Sequence, residues 1–166
     1  MEESKISLIV AVIALLTSIY ALLIKSKQQV PKTADDNFLT KPLRLQAYER
    51  LVLLAERIAL PNLISRLSQP GISAREMQFL LLESIKQEFE YNASQQIYVS
   101  ENAWNAVRNL RDQNLLMINS IAKALPPDAS ATELNRQLME ALMQDEQAAI
   151  HTYATNTINA EAKKIM

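Results

Sequence analysis

The side chains of this sequence that could move a proton or hold a metal are few and poorly spaced for either task. The single histidine, His151, follows Asp145 and Glu146 by six and five residues, whereas groups share a helix face at separations of three or four. Neither Glu-x-x-His nor paired histidines at helical spacing occurs, so the metal chemistry of helical bundles finds no ligand set here. His151 therefore reads as a solitary surface histidine. Glu88 and Glu90 lie two apart, which on a helix turns them to different sides, and paired-carboxylate catalysis would need a partner distant in sequence. Cysteine is absent, which excludes disulfides and thiol chemistry. With Gly71 as the one glycine, no glycine-rich phosphate loop can form. No catalytic residue, metal or cofactor is expected. The enzymatic alternative is a site assembled from distant residues, with Glu88, Tyr98 and His151 converging in one cleft.

The candidate for binding is the run from Glu88 to Ser100, followed by Trp104, where amides, hydroxyls and aromatics mix with no charge beyond two glutamates. If the preceding helix continues, Asn92 and Gln96 extend the stripe of Ile85 and Phe89 and turn amides toward the core, where they must be hydrogen-bonded. The structural reading is a network tying one helix to its neighbour. The functional reading is a contact surface for a peptide or small ligand built from Glu88, Asn92, Gln95 and Gln96, with Tyr98 and Trp104 as flat faces. Nothing in the run supplies a nucleophile with a base.

The location of such a surface follows from the N-terminus. Residues 6–24 carry no charge and as a helix would span about 28 Å, the thickness of a bilayer's hydrocarbon core. A cleaved signal peptide would have a basic start, a shorter apolar run and a small-x-small site. Here the chain opens with Glu2 and Glu3 and leaves the run through Leu23-Ile24-Lys25, so an uncleaved anchor is the reading adopted. Lys5 stands before it, and Lys25, Lys27, Lys32 and Lys41 follow it, which orients the N-terminus outside and the bulk of the chain in the cytoplasm. Ser7, Ala11, Ala14, Ser18 and Ala21 fall on one face of this helix, and small residues let membrane helices approach closely, so the face is a candidate for self-association. Residues 25–41 read as a polar, proline-broken linker reaching about 20–25 Å as a flexible coil. It keeps the following domain near membrane lipid.

The domain, residues 42–166, is long enough to bury a real core. One glycine in 166 residues, with prolines at apparent boundaries, is a helical signature. From Leu43 onward twelve Lys and Arg face fourteen Asp and Glu without a basic block, which argues against a nucleic-acid partner. Leu45, Tyr48, Val52, Ala55 and Ala59 form a helical stripe starting after Pro42, and Pro61 ends or kinks that helix. A short piece over 62–68 follows. Ser73 with Glu76 forms a capping box for a helix that buries Leu81, Leu82, Ile85 and Phe89. The next helix runs from Ser100 to Leu125 with Asn114 as the one polar residue in its apolar seam, a position that typically sets register. Ser130 with Glu133 makes a second capping box. The last helix, opened by Leu134, Leu138, Ala141 and Leu142, loses its phase near residues 144–146 and is either one helix or two.

The segment Leu43-Arg44-Leu45-Gln46-Ala47-Tyr48-Glu49-Arg50-Leu51 and the stretch from Glu88 to Trp104 resemble the two hallmark segments of an uncharacterised family of small bacterial proteins with an N-terminal membrane helix and a helical cytoplasmic domain. The resemblance covers roughly Pro42 to Trp104, with the anchor in the expected place, and does not extend past Leu125. The family's pattern more often carries Arg, His and a larger aliphatic where this chain has Lys86, Tyr91 and Ala93. It implies topology and fold but no activity. The expectation is an all-α, single-pass protein of the cell membrane: tail 1–5, transmembrane helix 6–24, linker 25–41 and a compact bundle of about five helices. It would serve as an interaction or scaffold module for an unknown protein partner, with a structural homo-oligomer as the alternative.

Overall fold

The computed structural model describes residues 34–144 and 147–166, together with Ala14, Leu15, Thr17 and Tyr20. Those four are helical and lie inside the expected anchor, whose other residues fall outside the described ones, as do Ser7, Ala11, Ser18 and Ala21 of its small-residue face. No described helix is long and apolar enough to cross a membrane. Two compact units are distinguished, Met1–Phe38 and Leu39–Met166, and the second carries nearly everything described here.

All regular structure among the described residues is helical: α1 Ala34–Ile58, α2 Leu60–Leu67, α3 Ala74–Tyr91, a 3-10 turn Ala93–Ile97, α4 Glu101–Ala124, α5 Ala131–Gln144 and α6 Gln147–Lys163. Helix α1 begins eight residues before Pro42, which sits inside it, so the expected linker is helical from residue 34 onward. Proline supplies no N–H to the Phe38 carbonyl four residues back, and the boundary between the two compact units falls directly after Phe38. The buried face of α1 is rotated from the predicted stripe. Tyr48, Leu51, Leu54, Ala55 and Ile58 are sealed in the core, while Leu45 and Val52 are only half-buried.

Where α1 stops, every one of its last four carbonyls finds a donor, as a buried helix end requires. Ala59, with φ −58° and ψ 126°, leaves the helix ahead of Pro61. The Ala55 carbonyl accepts from the Ala59 N–H at 3.1 Å, that of Glu56 from Asn62 Nδ2 at 2.8 Å, that of Arg57 from Arg66 Nη2 at 3.3 Å, and that of Ile58 from the buried Asn114 Nδ2 at 2.8 Å. Three side chains thus complete the break between α1 and α2. The seam asparagine of α4 is one of them.

The two capping serines meet. Ser73 and Glu76 form the full reciprocal box on α3. On α5 the Glu133 N–H reaches Ser130 Oγ at 3.3 Å, but the Glu133 carboxylate turns to Arg136 and Gln137 instead of back to the cap. A guanidinium one turn away outcompetes a neutral backbone N–H for a carboxylate. Bonds from the Ala74 N–H to the Ala129 carbonyl, 2.9 Å, and from the Ala131 N–H to the Ile72 carbonyl, 3.1 Å, join the two helix starts. Helix α4 is the centre of the bundle, packed against α3, α5 and α6. Its buried residues Ala103, Val107, Leu110 and Ile118 share one core with Met77, Leu81 and Ile85 of α3, Leu134 and Leu138 of α5, and Ala154 and Ile158 of α6. Each large aliphatic side chain buried this way contributes about 1.5–3 kcal/mol.

Candidate functional site

Helix α3 ends at Tyr91, so the continuation that would have carried Gln96 into the core does not occur, and the 3-10 turn redirects the chain. Asn92 is buried, but its Nδ2 donates to the Glu88 carbonyl four residues back, at 2.8 Å. It closes its own helix and does not bridge to a neighbour. Gln95 donates to Ser94 Oγ at 3.2 Å, and Gln96 is exposed. Trp104 is only 9% exposed. Its ring lies 5.0 Å from that of Phe89, and the Arg111 guanidinium covers the Phe89 ring at 4.1 Å. Trp104 is thus part of the foundation of this corner, and its flat face is not available to a partner. What the corner presents instead is Tyr91 and Ile97, each 74% exposed, and Tyr98, 40% exposed.

Beside them Glu88 is held by Arg57 at 2.6 Å, with Arg66 at 4.0 Å. Arg57 and Glu88 border a cleft of about 300 Å³ whose lining includes Gln46, Leu53, Tyr91 and Asn92. Of the predicted surface, Glu88, Asn92, Gln95, Gln96 and Tyr98 therefore lie on one corner, with Trp104 beneath it. Sequence reasoning missed Tyr91 and Ile97 as the exposed side chains of this corner. Their exposure follows from the stop at Tyr91, which periodicity alone did not place.

His151 is not solitary. Its half-buried ring brings Nε2 to 3.4 Å from Glu56 Oε1 on α1, without a hydrogen bond. The pair borders a cleft of about 360 Å³ that also includes Asn114 and Leu110. The partner is ninety-five residues upstream, beyond any local spacing rule. Glu88 and His151 line different clefts, and Tyr98 lines neither. No group of three or more metal-binding side chains occurs among the described residues.

A convergence of polar groups from three helices was invisible in the sequence. Glu161 of α6 accepts from Tyr48 Oη on α1 at 3.1 Å, from the Ser100 hydroxyl at the start of α4 and from Asn102 Nδ2 at 2.9 Å. Tyr48 Oη in turn accepts the Ser100 N–H at 3.0 Å, and Ser100 Oγ caps α4 through the Ala103 N–H at 3.0 Å. A carboxylate from one helix thus sits on the N-terminus of another, where the helix dipole favours negative charge. Burial opposes that charge, but the hydrogen bonds from Ser100, Asn102 and Tyr48, with the nearby Lys164 ammonium, outweigh it and lower the Glu161 pKa. The arrangement is a three-helix latch.

The described chain is a small all-helical protein. It belongs to DUF7935, a family of unknown function whose profile matches residues 4–165. The match extends past Leu125, beyond which the resemblance in sequence did not reach, and takes in Glu161 of α6 as well as the latch residues at the start of α4. No curated protein and no solved structure matches the chain.

Proposed function

We propose that this protein is a membrane-anchored interaction module in which residues 6–24 hold a cytoplasmic helical unit at the cell membrane and the corner from Glu88 to Trp104 recruits a protein partner. The observation that supports it is the exposure of Tyr91, Ile97 and Tyr98 on a corner whose foundation, Phe89, Trp104 and Asn92, is packed and hydrogen-bonded. Clustered exposed apolar side chains mark contact sites, and tyrosine supplies large contact area at low entropic cost. Anchoring raises the effective concentration of this surface toward other membrane components. The test is proximity labelling in cells from a C-terminal tag, wild type against Tyr91→Ser with Ile97→Ser and Tyr98→Ser. A cytoplasmic neighbour lost only in the triple variant supports the reading. Neighbours unchanged by the variant sink the corner, and extraction of the full chain from membranes by alkaline carbonate sinks the anchor.

A further inference from the structure

Phe89 of α3 meets Trp104 near one end of α4, and Gln78 of α3 meets Asn119 near the other, so the two helices run antiparallel. Arg75 and Gln78 are three apart on α3, and Asn119 and Lys123 are four apart on α4, which puts each pair on one helix face. The bond from Gln78 Nε2 to Asn119 Oδ1, 2.9 Å, pins these faces together about one turn from both cations. Arg75 and Lys123 consequently emerge at the same end of the helix pair and line one cleft of about 550 Å³. That volume lies within the range of small-molecule sites.

The lining is one-sided in charge. It contains a guanidinium, an ammonium and two amides and no carboxylate. Among the described residues Arg75 and Lys123 have no ion-pair partner, in contrast to Arg57, Arg111 and Arg136, each of which lies on a carboxylate. Glu76, next to Arg75 in sequence, is bonded to the hydroxyl and N–H of Ser73, a lining residue, in the capping box. Pro126 and Pro127 form an apolar wall, held by the extended backbone of Leu125 that ends α4. The joined starts of α3 and α5 stiffen the same end.

We propose that this cleft binds an organic phosphate. The Arg75 guanidinium offers two parallel N–H groups that match phosphate oxygens, and Lys123 adds a point charge from the facing helix. The Asn119 amide keeps donors for a neighbouring hydroxyl, and the proline wall takes the carbon skeleton. This chemistry is shared by soluble phosphate esters and by the headgroup of an anionic lipid. The inference rests on neither the anchor nor the Tyr91 corner.

The test titrates the full chain in non-ionic detergent by calorimetry, once with glycerol 3-phosphate and once with phosphatidylglycerol in mixed micelles. Arg75→Gln with Lys123→Gln is compared with Arg44→Gln plus Lys86→Gln, which removes the same charge outside the cleft. The cleft variant should weaken binding at least about tenfold while the control binds as wild type does. Saturable binding of glycerol 3-phosphate assigns a soluble ester, and binding of phosphatidylglycerol alone assigns a lipid headgroup. Absence of saturable binding to both probes overturns the proposal. Equal weakening by the two double variants does so as well, because it reduces the effect to net charge.

Discussion

Asn92 and Asn114 are the two buried polar side chains among the described residues, 6% and 3% exposed, and they spend their amides in opposite ways. Asn92 donates to a carbonyl four residues behind it. Asn114 donates to Ile58, fifty-six residues away, and completes the break between α1 and α2. The first bond forms wherever α3 forms. The second forms only when α1 and α4 are docked. The same division separates the two polar regions of the molecule. Around Glu161, Tyr48, Ser100 and Asn102 connect three helices. Around Asn92, the amides of Asn92 and Gln95 bond within their own segment, only Glu88 reaches across to Arg57 of α1, and Tyr91, Ile97 and Tyr98 are left to solvent. The first region spends its polar groups on bonds between helices, whereas the second satisfies its amides locally and leaves its aromatic and aliphatic side chains exposed.

The sharpest way to break this distinction is Asn114→Leu, which strands a buried carbonyl and should cost about 1–3 kcal/mol, read by chemical denaturation of the full chain. Asn92→Ala should cost less, about 0.5–1 kcal/mol, because only a local helix end is loosened. Equal losses would erase the difference between the two amides. Within the latch, Tyr48→Phe removes one hydroxyl that serves both Ser100 and Glu161 and should cost about 1 kcal/mol. Increased amide exchange should then appear at both α6 and the first turn of α4, because the hydroxyl joins them; exchange confined to one helix would contradict the latch.

The pH dependence sharpens the same point. Glu161 has a folded pKa below its ordinary value of 4.5, so its contribution to stability is present above about pH 4.5 and is lost as the pH falls through the lowered folded value. Glu76 and Glu133, lowered by Ser73 and by Arg136 respectively, act in the same direction. Wild-type stability should therefore fall on acidification, and Glu161→Gln should make the fall shallower. An unchanged slope in that variant would remove the carboxylate from the latch. The smallest effect on folding is expected at the free corner. Tyr91→Ser and Ile97→Ser should each shift stability by no more than about 0.5 kcal/mol, while the neighbour proposed for the corner should be lost from proximity labelling.

The helical class was legible from the single glycine and from apolar spacings of three and four, and the starts of α3 and α4 from Ser73 and Ser100. The short helix after Pro61 was also legible, as was Asn114 in its apolar seam. Less legible was the phase of α1. Apolar residues occur around much of its circumference, so the buried stripe was set by what α1 meets and not by its own pattern. The end of α3 was left open for a related reason: Asn92 extends the apolar stripe only if the helix continues, and the chain's direction beyond it is set by the turn that follows. Glu161 carried no signal, since its donors lie 113, 61 and 59 residues away.

What the sequence determined by itself is what short range controls: helix content, caps, proline breaks, net charge and the uncharged run over residues 6–24. Each depends on side chains within a turn or two of one another, and helical periodicity brings such neighbours together in any fold. The tertiary structure alone decided which carbonyl Asn114 satisfies, which carboxylate caps α4, where His151 finds Glu56, and that Arg75 and Lys123 share a cleft. Those meetings depend on how helices dock, and docking is settled by the summed burial of the core, in which no single residue announces its partner.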